Sequence, residues 1–157
     1  INGQLCPGRQ HICGEWGHNI LEVDGPDCYC GQKGCVETLI SGPGLAGDFY
    51  RSGGNPVLTA SDIALQASQG NSVAEVTMQR FFDRFGRALA TVVNILDPDV
   101  IVLGGGLSKI GRLYSEGREK VAQYVFNDQL ITPILQNLHG DSSGVRGAAQ
   151  LWEVSEL

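Results

Sequence analysis

Residues 14–37 read GEWGHNILEVDGPDCYCGQKGCVE, and this stretch constrains the fold more than any other. It sets Cys28, Cys30 and Cys35 in a CxCGxxGC loop with His18 a short way upstream. Gly31 and Gly34 let the backbone turn back so that three thiolates can converge. Four soft sulfur and nitrogen donors with no spare position describe a closed tetrahedral zinc site, which holds structure instead of activating water. Two plain alternatives compete with zinc. A disulfide framework fits poorly with the odd count of five cysteines and with the closeness of Cys28 to Cys30. Buried free thiols are common singly, but a cluster interleaved with glycines favours metal. Cys6 and Cys13 fall outside the cluster and are expected to pack as small apolar residues.

A chain of 157 residues is long enough for one domain with a real core. Its 17 acidic and 11 basic residues give a net charge of -6, so it lacks the positive field that nucleic acid requires. No apolar run reaches the roughly 18 to 20 residues that cross a bilayer, so no membrane partner is expected. Cysteines that read as metal ligands point to a reducing compartment, and a cytoplasmic location is expected. The opening on Ile1 inside a strand-like run suggests a chain cut from something longer.

Residues 1–24 read as β-structure: a run over 1–5, a turn at Pro7 and Gly8, a run over 9–13 and a third over 19–23. A short helix is expected from Cys35, closed by the turn-rich SGPG of residues 41–44, with a second short helix following. Thr59 or Ser61 caps a helix, and Asn71 or Ser72 caps the longest one. In that longest helix Val73, Val76, Phe81, Phe85, Leu89, Val92, Val93 and Leu96 recur at helical spacing, so one face is core. Arg80, Asp83, Arg84 and Arg87 read as its solvated side. After Asp97 and Pro98, residues 100–103 form an unbroken apolar strand, the pattern of burial on both faces. Gly104, Gly105 and Gly106 turn that strand into a helix capped near Ser108. A strand over 132–138 and a closing helix over 145–152 complete the chain. The order is α/β, with helices expected on both faces of a largely parallel sheet.

The unit VIVLGGGLS places backbone N–H groups where an anion or nucleotide would dock at a strand's carboxyl end. Alone it is weak: Lys109 stands where a GxGxxG fingerprint needs its third glycine, and no Walker loop is present. A turn needed only for tight packing is the plain alternative. Ser41 and Gly42 in SGPG, and the GDSSG of residues 140–144, are further glycine–serine turns with the same ambiguity. Glu15 and Glu37 bracket the metal loop. Carboxylates accept paired hydrogen bonds from vicinal hydroxyls, a common grip on sugars, although a surface charge and a helix-start charge would read the same way. With one ring nitrogen of His18 on zinc, the other carries its proton and can donate to a hydroxyl.

GEWGH, CYCGQKGCVE, SGPG, DPDVIVLGGGLS and HGDSSGVRGAA together resemble the ROK family of sugar kinases and related repressors over nearly the whole chain. Within the family the wording GEWGHN, CYCG and HGDSSGVRGAAQLW is most similar to bacterial fructokinases. The resemblance implies an actin-like, ribonuclease-H-like ATPase lobe with an inserted zinc loop. It implies structural zinc on His18, Cys28, Cys30 and Cys35, and hexose contacts from Glu15, His18 and Glu37. It places ATP with magnesium near Gly104, Gly105, Gly106, Ser41 and Gly42, and implies a homodimer. Family members also carry an N-terminal lobe with a DxGxT loop and an Asn-Asp pair that supplies the general base. The DxGxT loop does not occur here, and the one Asn-Asp dipeptide, Asn127–Asp128, falls near the end of an expected helix far from the sugar motif and reads as a helix-terminating turn. Residues 1–157 are therefore expected to be the C-terminal lobe without its N-terminal partner, and inactive alone. The function implied is a hexose kinase acting at the 6-hydroxyl, most like fructokinase. N-acetylglucosamine kinase, glucokinase and a sugar-sensing repressor remain alternatives, as does a zinc-stabilised interaction module outside the family.

Overall fold

In the computed structural model the described residues are 4, 6 and 8–150. They form helices α1 (Val36–Ile40), α2 (Gly42–Arg51), α3 (Ala60–Ser68) and α4 (Ser72–Leu96), then strand β1 (Ile101–Leu103), helix α5 (Glu116–Tyr124), strand β2 (Ile134–Gln136) and helix α6 (Ser143–Ala149). The core is built on α4, which Asn71 caps by accepting the Ala74 amide at 3.0 Å. Its buried stripe runs through Ala74, Met78, Phe81, Phe82, Phe85 and Leu89. Val73, Val76 and Leu96, expected on that face, are exposed. The helix ends at Asp97, which adopts a left-handed φ of 42°. A cap on α3 forms as expected at Thr59, reciprocated by Asp62 in a capping box.

Gly86 lies in the middle of α4, where glycine costs about 1 kcal/mol relative to alanine. Its place is fixed by α5, because a Cβ there would sit 2.6 Å from the Lys120 carbonyl carbon. The two strands pair in parallel, Ile101 opposite Ile134 and Leu103 opposite Gln136, with α5 in the crossover between them. Val102 is 57% exposed, so β1 is not buried on both faces. The sheet has two strands among the described residues, and the expected cover on both of its faces is not found there. Ile101 and Leu103 of β1 and Ile134 of β2 turn toward the core.

Other local expectations give way to specific hydrogen bonds. Residues 19–23 form no strand: Ile20 makes a single antiparallel bridge with Cys35. The amides of Leu21 and Glu22 both donate to the Gly34 carbonyl, at 2.8 and 3.2 Å, so the segment pairs with the metal loop instead of a strand. Residues 9–13 are turns with His11 at φ 57°, and most of the run expected over 1–5, with Pro7, lies outside the described residues. SGPG starts α2 instead of only closing α1: Ser41 Oγ accepts the Gly44 amide at 3.0 Å and Pro43 occupies the first turn. The helix expected from Ser108 begins only at Glu116, as α5, and two 3₁₀ turns, Gly106–Lys109 and Gly111–Tyr114, take the place of its first turns. Tyr114 Oη donates to the Ser108 carbonyl at 2.7 Å, which diverts it from a helical ladder. The described helix of the closing segment starts earlier than expected, and its end beyond 150 lies outside the described residues. Cys6 and Cys13 are exposed, not packed, with sulfurs 3.5 Å apart. Among the described residues no helix is long and apolar enough to cross a membrane.

Candidate sugar and metal site

The 3₁₀ turn Glu15–His18 follows Gly14, whose φ of 102° redirects the chain. It carries His18 onto the cysteine loop. His18 Nδ1 lies 3.6 Å from Cys28 Sγ, and Cys30 Sγ lies 3.7 Å from Cys35 Sγ. All four donor atoms fall within 4.8 Å of one another. A tetrahedron with Zn–S bonds of about 2.3 Å has edges of about 3.8 Å, so the donor set fits a four-coordinate zinc. The loop reaches this shape through Cys28 N–H to the Gln32 carbonyl at 2.8 Å and Gly31 N–H to the Cys28 carbonyl at 3.0 Å. Gly34 sits at φ 63°, and a Cβ there would come within 1.6 Å of the Glu22 carbonyl oxygen. The thiols differ among themselves. Burial, with Cys30 and Cys28 alongside, pushes Cys35 up to about 12, while a backbone hydrogen bond from Gln32 draws Cys30 down to about 7.

The second nitrogen of His18 faces away from the thiols. Nε2 lies 2.9 Å from Tyr29 Oη, 3.7 Å from Glu37 Oε2 and 3.9 Å from Glu15 Oε2. The structure therefore brings Glu15, His18 and Glu37 to one point. Tyr29 was not foreseen: it stands between two cysteines and gave no periodic or motif signal of its own.

The glycine–serine turns meet in part. Glu37 and Ser41 line one groove of about 590 Å³ with Asp27, Thr38, Pro43 and Arg51. Gly42 and Gly106 line another of about 570 Å³ with Pro43, Thr59 and Leu107. Pro43 belongs to both, so the carboxylate of Glu37 and the glycine turn lie along connected surface. Gly104 lines a different, apolar cavity of about 220 Å³ with Trp16 and Leu103. Gly105, at φ 72° and ψ -175°, holds a conformation that is essentially glycine's alone. A Cβ on any of the three would meet open space, which leaves the turn accessible beyond the carboxyl end of β1.

Asn137, also missed, joins this turn to the third one. Its Nδ2 donates to the Leu103 carbonyl at 3.0 Å and to Ser108 Oγ at 2.9 Å, and its Oδ1 accepts from Ser143 Oγ at 2.7 Å. Nothing in the sequence around an asparagine that follows a strand announces this.

The charged side of α4 is not solvated as expected. Arg84 Nε and Nη2 donate to both oxygens of Glu22 at 2.8 and 3.0 Å, and Arg84 Nη1 lies 3.0 Å from Asp48 Oδ2. Arg80 Nε donates to the same Asp48 oxygen at 3.0 Å, and Arg87 Nη2 to Glu22 at 2.9 Å. Asp48 is only 7% exposed. The Arg84 and Arg87 guanidiniums hold the Glu22 carboxyl below the usual carboxylate range. Through Glu22 the metal loop is fastened to α4, and through Asp48 so is α2. A repeat of arginines at helical spacing opposite an isolated acid was the available signal.

Similar proteins have been characterised. N-acetyl-D-glucosamine kinase of Yersinia enterocolitica is 35% identical over 161 residues, covering 96% of this chain and 53% of the relative. The chain thus spans about half the length of the curated relatives it matches. Among solved structures, a ROK family glucokinase from Streptomyces griseus, in complex with glucose and AMPPNP, superposes with a TM-score of 0.84 at 26% identity, covering 96% of this chain and 55% of that one. A ROK hexokinase from Thermus thermophilus gives 0.82 at 28% identity, covering 95% and 50%. The α/β architecture is that of the actin-like ATPase lobe found in these kinases. The ROK family model matches residues 1–155, and the chain belongs to the ROK family.

Proposed function

We propose that residues 1–157 form the C-terminal lobe of an ATP-dependent hexose kinase that transfers a γ-phosphoryl group to the sugar's 6-hydroxyl. The observation that carries this reading is the division of labour at His18, whose Nδ1 faces the thiols while its Nε2 faces both Glu15 and Glu37. Zinc on His18, Cys28, Cys30 and Cys35 would fix the loop and supply no reactive water, since the donor set is closed. The two carboxylates would accept paired hydrogen bonds from sugar hydroxyls, and His18 would donate one. The open turn at Gly104, Gly105 and Gly106 and the N-terminus of α2 at Ser41 and Gly42 would receive the phosphates of ATP with its magnesium. A thiolate-rich metal site suits a reducing compartment, in keeping with a cytoplasmic enzyme.

Fructose is the first substrate to test, because the GEWGHN and CYCG wording is most similar to fructokinases. N-acetylglucosamine is the second, favoured by the 35% identity to an N-acetyl-D-glucosamine kinase. Calorimetric titration of the full protein that carries this chain with fructose, N-acetylglucosamine, glucose and mannose decides between them. Glu15→Gln and Glu37→Gln each weaken a charge-assisted hydrogen bond, so hexose affinity is expected to fall about 10- to 100-fold. ATP affinity and zinc content stay unchanged. Unaltered hexose affinity in both variants would return these residues to simple surface and helix-start charges.

A further inference from the structure

We propose that the Tyr29 hydroxyl occupies the place of a sugar hydroxyl on His18 and is displaced when the hexose binds; this rests on the hexose-site reading above. An imidazole nitrogen directs one hydrogen bond in the plane of its ring. On His18 Nε2 that bond is already made, to Tyr29 Oη at 2.9 Å. Glu15 Oε2 and Glu37 Oε2 face the same nitrogen from 3.9 and 3.7 Å, outside hydrogen-bonding distance. A ligand hydroxyl that is to be held by the imidazole and both carboxylates together belongs at the meeting point of these three groups. The tyrosine oxygen takes the imidazole's part of that point, since it already holds the one hydrogen-bonding direction of Nε2. The two oxygens exclude one another.

Displacement requires little. Tyr29 is 83% exposed, and its ring meets His18 edge-on at a centroid distance of 5.0 Å instead of packing into the core. Its backbone is fixed between Cys28 and Cys30, so the hydroxyl leaves by side-chain rotation without movement of the metal loop. Exposed side chains rotate within picoseconds to nanoseconds, far faster than turnover. In the absence of sugar, Tyr29 keeps Nε2 hydrogen-bonded and the ring oriented. Hexose binding then exchanges one hydrogen bond for another, and only ligands that place a hydroxyl on Nε2 recover what is lost. Tyr29 is in this sense a competitor built into the site.

The test is calorimetric titration of the full protein with its hexose, using wild type, Tyr29→Phe and Tyr29→Ala, with zinc content measured on the same samples. The phenylalanine keeps the edge contact and removes the hydroxyl. Hexose binding by Tyr29→Phe is expected to tighten about 3- to 10-fold, the equivalent of one net hydrogen bond no longer broken, with ATP affinity and zinc unchanged. Tyr29→Ala is expected to tighten binding as well. A merely structural tyrosine would not yield a gain in affinity on removal. Unchanged or weaker hexose binding in zinc-replete Tyr29→Phe overturns the proposal while leaving the hexose site standing, as does a loss of zinc from that variant. Failure of the wild-type protein to bind any of the four hexoses overturns the hexose-site reading and this proposal together.

Discussion

Gly34 is the residue on which the metal loop turns. Its φ of 63° lies where side chains are rarely accommodated, and a Cβ would drive into the Glu22 carbonyl, which also accepts the Gly25 amide at 3.0 Å. Gly31 has a comparable φ of 90° but open space around it. The two glycines therefore separate backbone strain from collision. Gly31→Ala is expected to cost about 1–2 kcal/mol, the ordinary penalty of a left-handed alanine, and to retain zinc. Gly34→Ala is expected to cost at least about 3 kcal/mol, several degrees in melting temperature, and to lose zinc because Cys35 is the next residue. Thermal melts with metal analysis check the pair, and equal effects of the two substitutions would contradict the collision.

At the level of elements, α4 is a core ridge on one side and a row of charge clamps on the other. One clamp fastens it to α5: Arg112 donates to both oxygens of Glu75 at 2.7 Å, binds Glu116 as well, and lies 5.2 Å over the Phe82 ring. Arg112, with Gln79, draws the Glu75 carboxyl down to about 2. For an acid depressed in the folded state, the stabilisation is complete above its unfolded pKa of about 4.3 and is lost as pH falls from there through the folded value. The Glu75 side chain is 38% exposed, so water screens the pair and limits its worth to about 1 kcal/mol. Glu75→Gln should therefore lower stability at pH 7 by about that amount. The deficit should shrink below about pH 4 and vanish near pH 2. Urea unfolding at stepped pH reads this directly, and a deficit constant down to the acid limit would assign Glu75 a role other than its charge.

For the whole molecule, the question is whether these residues contain the machinery of transfer. Phosphoryl transfer depends on positioning, with a base to orient the attacking hydroxyl and enclosure of the phosphates. In the reading above, Glu15, His18 and Glu37 are engaged in holding sugar. The Asn127–Asp128 pair does not join them: Asn127 lines a separate cavity of about 280 Å³ with Val93, Asn94 and Asp97, and its Oδ1 accepts the Asp128 amide at 2.9 Å. The 157-residue chain by itself is expected to show no sugar-dependent ADP release from Mg-ATP with fructose or N-acetylglucosamine. Turnover by the homogeneous chain would show that the base lies among these residues.

What the sequence by itself determined is what neighbouring residues encode. Closely spaced cysteines and a nearby histidine meet because short loops have few ways to fold, and the caps at Thr59 and Asn71 are local exchanges of hydrogen bonds. The stripe through Phe81, Phe85 and Leu89 follows from helical period, and β1 from a run of branched apolar side chains. Tertiary structure alone decided which distant groups became partners. It set Glu22 against Arg84, Ser143 against Asn137, and Tyr29 against the far nitrogen of His18. It also turned an expected strand at residues 19–23 into a single bridge, because the Gly34 carbonyl offered both amides a nearer acceptor. The physical reason is common to all of these. Torsional preference and hydrophobic period are written along the chain, whereas a hydrogen bond or ion pair between remote residues depends on their positions after the core has closed.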